Sequence, residues 1–188
     1  YHGGHKIRFI FLISSERSGS NLITKMIDAH PDYCGPSPSH LIRTLYNNIQ
    51  NYGNLNNQEN WKILVYDVTS LLNFQLGAWE AKFTEDEFFE NVNSRTIESL
   101  IKYIYEKEAT LNGKRNVFIK ENQTYTFAQN ILNDFDYAKF VYLVRDPRDM
   151  ALSWKLSFNH PGAIMKATEI WFNDQRSSIE LFNDLGPQ

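Results

Sequence analysis

Residues 7–14 read IRFIFLIS, a short apolar run rich in branched and aromatic side chains, the pattern of a strand buried on both faces. It breaks into the small polar stretch SERSGSN (15–21). From Ser20 or Asn21 onward, Leu22, Ile23, Met26 and Ile27 recur at helical spacing. The helix is predicted to stop near His30, because Pro31 disfavours a helical conformation in the residue before it. A strand that feeds a tight loop and then a helix points several backbone N–H groups, and the positive end of a helix dipole, at one place. That place suits an anion. Gly19 permits the unusual torsion or close backbone approach the loop needs. Arg17 adds a fixed charge with several donors, and Ser18, Ser20 and Asn21 add short polar groups.

The rest of the chain follows the same alternation. NVFIK (116–120) and AKFVYLV (138–144) read as further strands, the latter apolar enough for the centre of a parallel sheet. Amphipathic stretches lie near 39–51 and 58–76, and PDYCGPSPS (31–39) between helices reads as irregular loop. Thr84-Glu85-Asp86-Glu87 is a capping-box pattern, Ser94 is a candidate cap for the next helix, and Gly113 is its terminator. Residues 124–133 and 163–182 read as helices. Strands separated by helices predict an α/β fold of three layers, a central parallel sheet flanked by helices like that of the P-loop NTPases. The 188 residues fit one domain, and 42% hydrophobic content suffices for a core.

A second polar constellation follows the last strand, in VYLVRDPRDMALSW. Asp146 is a good N-cap and Pro147 suits the first helical position. Arg145 stands at the strand's end, and Ser153 lies about two helical turns into the next helix. Together they can bracket one phosphate; alone, Arg145 would pair with Asp146 or Asp149. Composition narrows the partners. A formal charge of −3 gives no basic field for nucleic acid, and argues mildly against highly sulfated polysaccharides. No apolar run spans a bilayer. Cys34 is the only cysteine, which points to a reducing, cytoplasmic setting. No His-x-x-x-His or Cys-x-x-Cys pattern occurs, so no metal is expected.

Taken together, the early loop and the late Arg with its Ser resemble the sulfotransferases that use 3′-phosphoadenylyl sulfate, over residues 8–172. MIDAHPDYCGP (26–36) is similar to the stretch after the loop in the tyrosylprotein and bacterial branches. The resemblance implies that Arg17, Ser18, Gly19, Ser20, Asn21 and Leu22 hold the 5′-phosphosulfate, and that Arg145 and Ser153 bind the 3′-phosphate. It also implies in-line transfer of a sulfuryl group to a hydroxyl or amine. The acceptor classes this leaves open are a small molecule, a carbohydrate and an acyl chain.

Arg17 and Lys120, the latter at the end of VFIK, are the candidate cations at the departing phosphate. The base is open. In the cytosolic branch a His follows that Lys by two positions, where this chain has Asn122. Some carbohydrate branches use a Glu near this strand end, which brings in Glu121. The tyrosylprotein branch takes a Glu from the loop after the first helix, where this chain offers His40. Glu121 and His40 stand level as candidates, with His160 behind them. Trp154, Phe158 and Trp171 read as core or as a wall for adenine, Tyr103 and Tyr105 as packing, and HPGAI (160–164) as a loop beside the site. Family members continue past the last helix into another strand and a loop that closes over the nucleotide. The resemblance therefore implies a single domain, 1–188, without those parts. The rivals are a P-loop kinase or NTPase, which would need the absent Gly-x-x-x-x-Gly-Lys-Ser/Thr, and a non-catalytic nucleotide-binding module on the same scaffold.

Overall fold

A computed structural model describes residues 7–74, 79–157 and 163–185. Its sheet has four strands, all parallel: β1 (Arg8–Ser14), β2 (Tyr33–Cys34), β3 (Asn116–Lys120) and β4 (Lys139–Leu143), in the order β2-β3-β1-β4. Eight α-helices flank it among the described residues: α1 (Ser20–Asp28), α2 (Leu41–Asn48), α3 (Gln58–Phe74), α4 (Glu85–Asn91), α5 (Ile97–Leu111), α6 (Ala128–Asp134), α7 (Pro147–Lys155) and α8 (Ala163–Leu185). The fold is the three-layer α/β arrangement expected from the alternation of strands and helices.

The period of two along a strand divides its side chains between the faces. Phe9 and Phe11 of β1, with Val117 and Ile119 of β3, enter the main core beside residues of α2 to α6. Leu12 and Phe118, at the alternate positions, are also buried. A smaller cluster of Met150, Ala151, Trp154 and Ala167 joins α7 to α8, with Ile170 and Trp171 against it. Trp154 and Trp171 are thus packing residues. Tyr105 is buried with its hydroxyl at Ser39 Oγ, 3.2 Å away, and Tyr103 is half-buried against the same core. Phe158 and His160 lie outside the described residues.

Several local expectations need correction. The stretch after α1 contains a strand, β2, where loop was predicted. Two residues are too few for a periodic signal; the pairing is fixed instead by Arg115 and Asn116, whose N–H groups both donate to Asp32 O. β4 is an edge strand of the described sheet, and β1 and β3 are its centre. Helix α1 turns Ser20 and Thr24 inward and leaves Leu22 and Met26 about two-thirds exposed. Close approach explains the choice: a Cβ on Gly35 would sit 2.7 Å from Thr24 O, so only small residues fit on that side. The cap of α5 is Thr96, which accepts from Ser99 N–H, rather than Ser94. Residues 124–133 divide into a 3-10 turn (Thr124–Thr126) and α6. The Thr84–Glu87 capping box forms with both hydrogen bonds, and Gly113 follows α5 at φ 66°.

Candidate active site

Parallel pairing lays the carboxyl ends of β3, β1 and β4 side by side on one edge of the sheet. Ligands of open parallel sheets bind outside that edge. The loop leaving β1 contributes Arg17, in the left-handed region at φ 61°, and Gly19 at φ 97°. A Cβ on Gly19 would meet nothing within 4 Å, so its torsion, not lack of space, calls for glycine. Gly19 precedes α1 and no side chain caps that helix, so its first-turn N–H groups stay available. Ser18 Oγ is buried there without a hydrogen-bond partner.

A cavity of about 420 Å³ opens over these groups. Arg17, Gly19, Ser20, Asn21 and Leu22 line it from the loop and α1, Lys120 from the end of β3, and Arg145 and Ser153 from beyond β4. The two stretches read separately in the sequence are in direct contact. Arg17 Nε donates to Ser153 Oγ at 3.0 Å, and Arg145 Nη1 donates to Arg17 O at 3.0 Å. Arg145 does not pair with Asp146: that carboxylate caps α7 through Arg148 N–H and binds the Arg148 guanidinium. Trp171 Nε1–H donates to Arg145 O at 3.1 Å, fixing the backbone from which that guanidinium projects.

A second cavity, about 410 Å³, shares Asn21, Lys120 and Asn122 with the first and adds Lys25, Ser37 and His40. Four cationic side chains, Arg17, Lys25, Lys120 and Arg145, line the paired cavities, where the carboxylate is Glu16. The local field is positive although the whole chain is acidic, which is how a small protein concentrates an anion. Burial lowers the pKa of Lys120, opposed by Glu121 and Glu16. A larger cavity, about 720 Å³, lies between α2 and α3 over Leu41, Leu45 and Val68, and shares no lining residue with these two.

His40 and Glu121, 81 positions apart in the chain, are neighbours, with Nδ1 and Oε2 3.8 Å apart. His40 precedes α2 at φ 54° and its ring is partly open to the second cavity. Burial lowers its pKa, helped by Arg43 and Lys120 and opposed by Glu16. The imidazole is therefore neutral at pH 7. Glu121 has no exposed surface and lines neither cavity; Ile42 N–H donates to its Oε1 at 3.4 Å. Burial raises its carboxyl to about 7, against the pull of the Ile42 N–H, Arg43 and Lys120.

That shift has a stability consequence. The folded-state pKa exceeds the ordinary 4.5, so the folded protein holds this proton more tightly than the unfolded chain. The contribution is fully present below pH 4.5 and is lost as pH rises through about 7. The loss amounts to about 3 kcal/mol. Glu121→Gln, which cannot ionise, is expected to gain stability relative to the parent between pH 5 and pH 8, read as a growing Tm difference. A Tm difference independent of pH would refute it.

Sequence reasoning passed over Glu16 and Lys25 as parts of the site. Glu16 sits inside the quoted loop and binds Asn122 Nδ2 through its Oε1 at 3.2 Å, so position in the motif was its signal. Trp171, read as core or as a wall for adenine, also holds Arg145 through a link that is purely tertiary.

A profile described as the sulfotransferase family matches residues 10–184. The chain belongs to the sulfotransferase family. Among solved structures, the sulfotransferase domain from the curacin biosynthetic pathway is similar to it, with a TM-score of 0.54 at 17% identity. The match covers 98% of this chain and 65% of that one, so the present chain spans somewhat less than two thirds of that sulfotransferase's length. At this identity the likeness bears on the fold. No curated protein matches the chain. The region matched to the sulfotransferase family takes in the β1–α1 loop, Lys120, and Arg145 with Ser153, all of which face the first cavity.

Proposed function

We propose that this chain moves a sulfuryl group from 3′-phosphoadenylyl sulfate to a hydroxyl or amine acceptor by in-line transfer. The observation that carries the reading is the union of the two anion-facing stretches in one cavity through Arg17–Ser153 and Arg145–Arg17. A donor charged at both ends needs two anchors, and a 3′-phosphate distinguishes it from ATP. The N–H groups of the first turn of α1 and of the residue before it, from Gly19 to Leu22, would hold the 5′-phosphosulfate, with Arg17. Arg145 and Ser153 would hold the 3′-phosphate. Lys120 lines both cavities and so stands where the transferred group passes from one to the other. A sulfuryl group carries less negative charge than a terminal phosphoryl group, so fixed cations and N–H donors can supply the stabilisation.

The acceptor would enter the second cavity, where His40 is the proton acceptor. Its lowered pKa leaves the ring free to take a proton at neutral pH. The shift runs downward from 6.5, so protonation of the imidazole itself should depress turnover only on the acid side of 6.5.

Equilibrium binding tests the assignment: adenosine 3′,5′-bisphosphate should bind more tightly than ADP with Mg²⁺, and a preference for ADP would defeat it. Arg145→Ala removes a charge-assisted bond of about 1.5–3 kcal/mol, roughly a 10- to 150-fold loss of affinity for the bisphosphate. Undiminished affinity in that variant would remove Arg145 from the phosphate site.

A further inference from the structure

Two polar atoms face each other behind the second cavity, and neither has a hydrogen-bond partner: His40 Nδ1 and Glu121 Oε2, both buried. A buried polar group without a partner is costly. They stand 3.8 Å apart, so a closer approach would satisfy both. Bonds of this kind are often long in an empty site and tighten when it fills. The backbone aims the pair. The left-handed torsion of His40 sets its ring at the mouth of α2, while Ile42 N–H, two residues later, holds the other carboxylate oxygen.

We propose that Glu121 is a positioning residue for His40: its carboxylate receives the Nδ1–H and thereby leaves Nε2 as the proton acceptor directed at the second cavity. The assignment deepens the sulfotransferase reading and rests on it for the identity of the proton transferred. As the acceptor oxygen bonds to sulfur, the bond from sulfur to the departing phosphate oxygen breaks, and the acceptor's proton passes to Nε2. The imidazolium then carries its other proton on Nδ1 toward the Glu121 carboxylate, which is ionised above about pH 7. The charge born in the reaction is balanced by one already in place, as a buried anion does for a catalytic imidazole elsewhere.

The surrounding groups are mixed in sign. Lys120 at the end of β3 and Arg43 on α2 favour the carboxylate and disfavour the imidazolium. Glu16, from the loop after β1, favours the imidazolium. Tyr105 on α5 comes close enough to Glu121 for that carboxylate to raise the phenol's pKa, and its hydroxyl is engaged with Ser39. Glu121 Oε2 is the acceptor atom that stands 3.8 Å from Nδ1.

The test has a readout that does not need turnover. Nitrogen-15 NMR of the His40 ring at pH 8, where the Glu121 carboxyl is ionised, assigned with His40→Asn, is expected to show the neutral Nδ1–H tautomer in the parent chain. In Glu121→Gln the population should move toward Nε2–H, and kcat should fall about 10- to 100-fold while the acceptor KM and bisphosphate affinity hold. Glu121→Asp, which keeps the charge, should recover part of the loss. A parent ring in the Nε2–H form overturns the proposal, and so does an undiminished kcat in Glu121→Gln. Failure of the parent to bind the bisphosphate would strike the donor assignment instead, and the tautomer measurement would still decide the pairing.

Discussion

Turnover falls about 10²- to 10⁴-fold in His40→Asn, the range typical of removing a general base, with affinity for adenosine 3′,5′-bisphosphate unchanged. Asn is the right replacement because position 40 sits at φ 54°, a region Asn enters more readily than Ala or Gln. The variant thus separates lost chemistry from a disturbed backbone. The two readouts also separate the cavities: His40 lines the second, while both proposed phosphate anchors line the first. Single-turnover rates with a panel of hydroxyl acceptors are the measurement. Full turnover in His40→Asn would remove His40 from proton transfer, and Glu121 could not replace it directly, since no part of it reaches either cavity.

Arg17→Asn is the second large effect. Its guanidinium is tied to Ser153 by one of its five N–H donors, and its backbone, also left-handed, carries the carbonyl that receives Arg145. Loss of a donor aimed at developing charge costs about 10²- to 10³-fold in turnover. Arg17→Lys should restore little, because an ammonium lacks the planar fork that can meet Ser153 and an anion together. The expected signature is a fall in kcat that exceeds any rise in the dissociation constant for the bisphosphate. Equal changes in both would make Arg17 a simple binding residue, and no change in either would take it out of the site.

What the sequence showed plainly was local. The β1–α1 unit and the Arg145–Ser153 segment are each carried by adjacent residues with strong strand, cap and glycine signals, and their shared edge of the sheet follows from parallel topology. What it concealed was tertiary. β2 is too short to announce itself and exists because Asp32 O meets two N–H groups more than eighty positions later. The inward face of α1 is polar because Gly35 brings the neighbouring backbone within reach, against the apolar pattern of Leu22 and Met26. His40 and Glu121 were each visible as rivals for one task. Only the fold turns them into partners, because nothing in either local stretch records that the mouth of α2 lies over the end of β3.

The Arg145–Arg17 bond gives the proposed phosphate site a mechanical property. Trp171 clamps the backbone of Arg145, and Arg145 in turn braces the strained turn from which Arg17 projects. A nucleotide lacking its ribose phosphate would leave Arg145 without a load and the turn less firmly braced. Discrimination would then be felt in the rate of sulfur transfer as well as in occupancy, with the two handles acting as one latch.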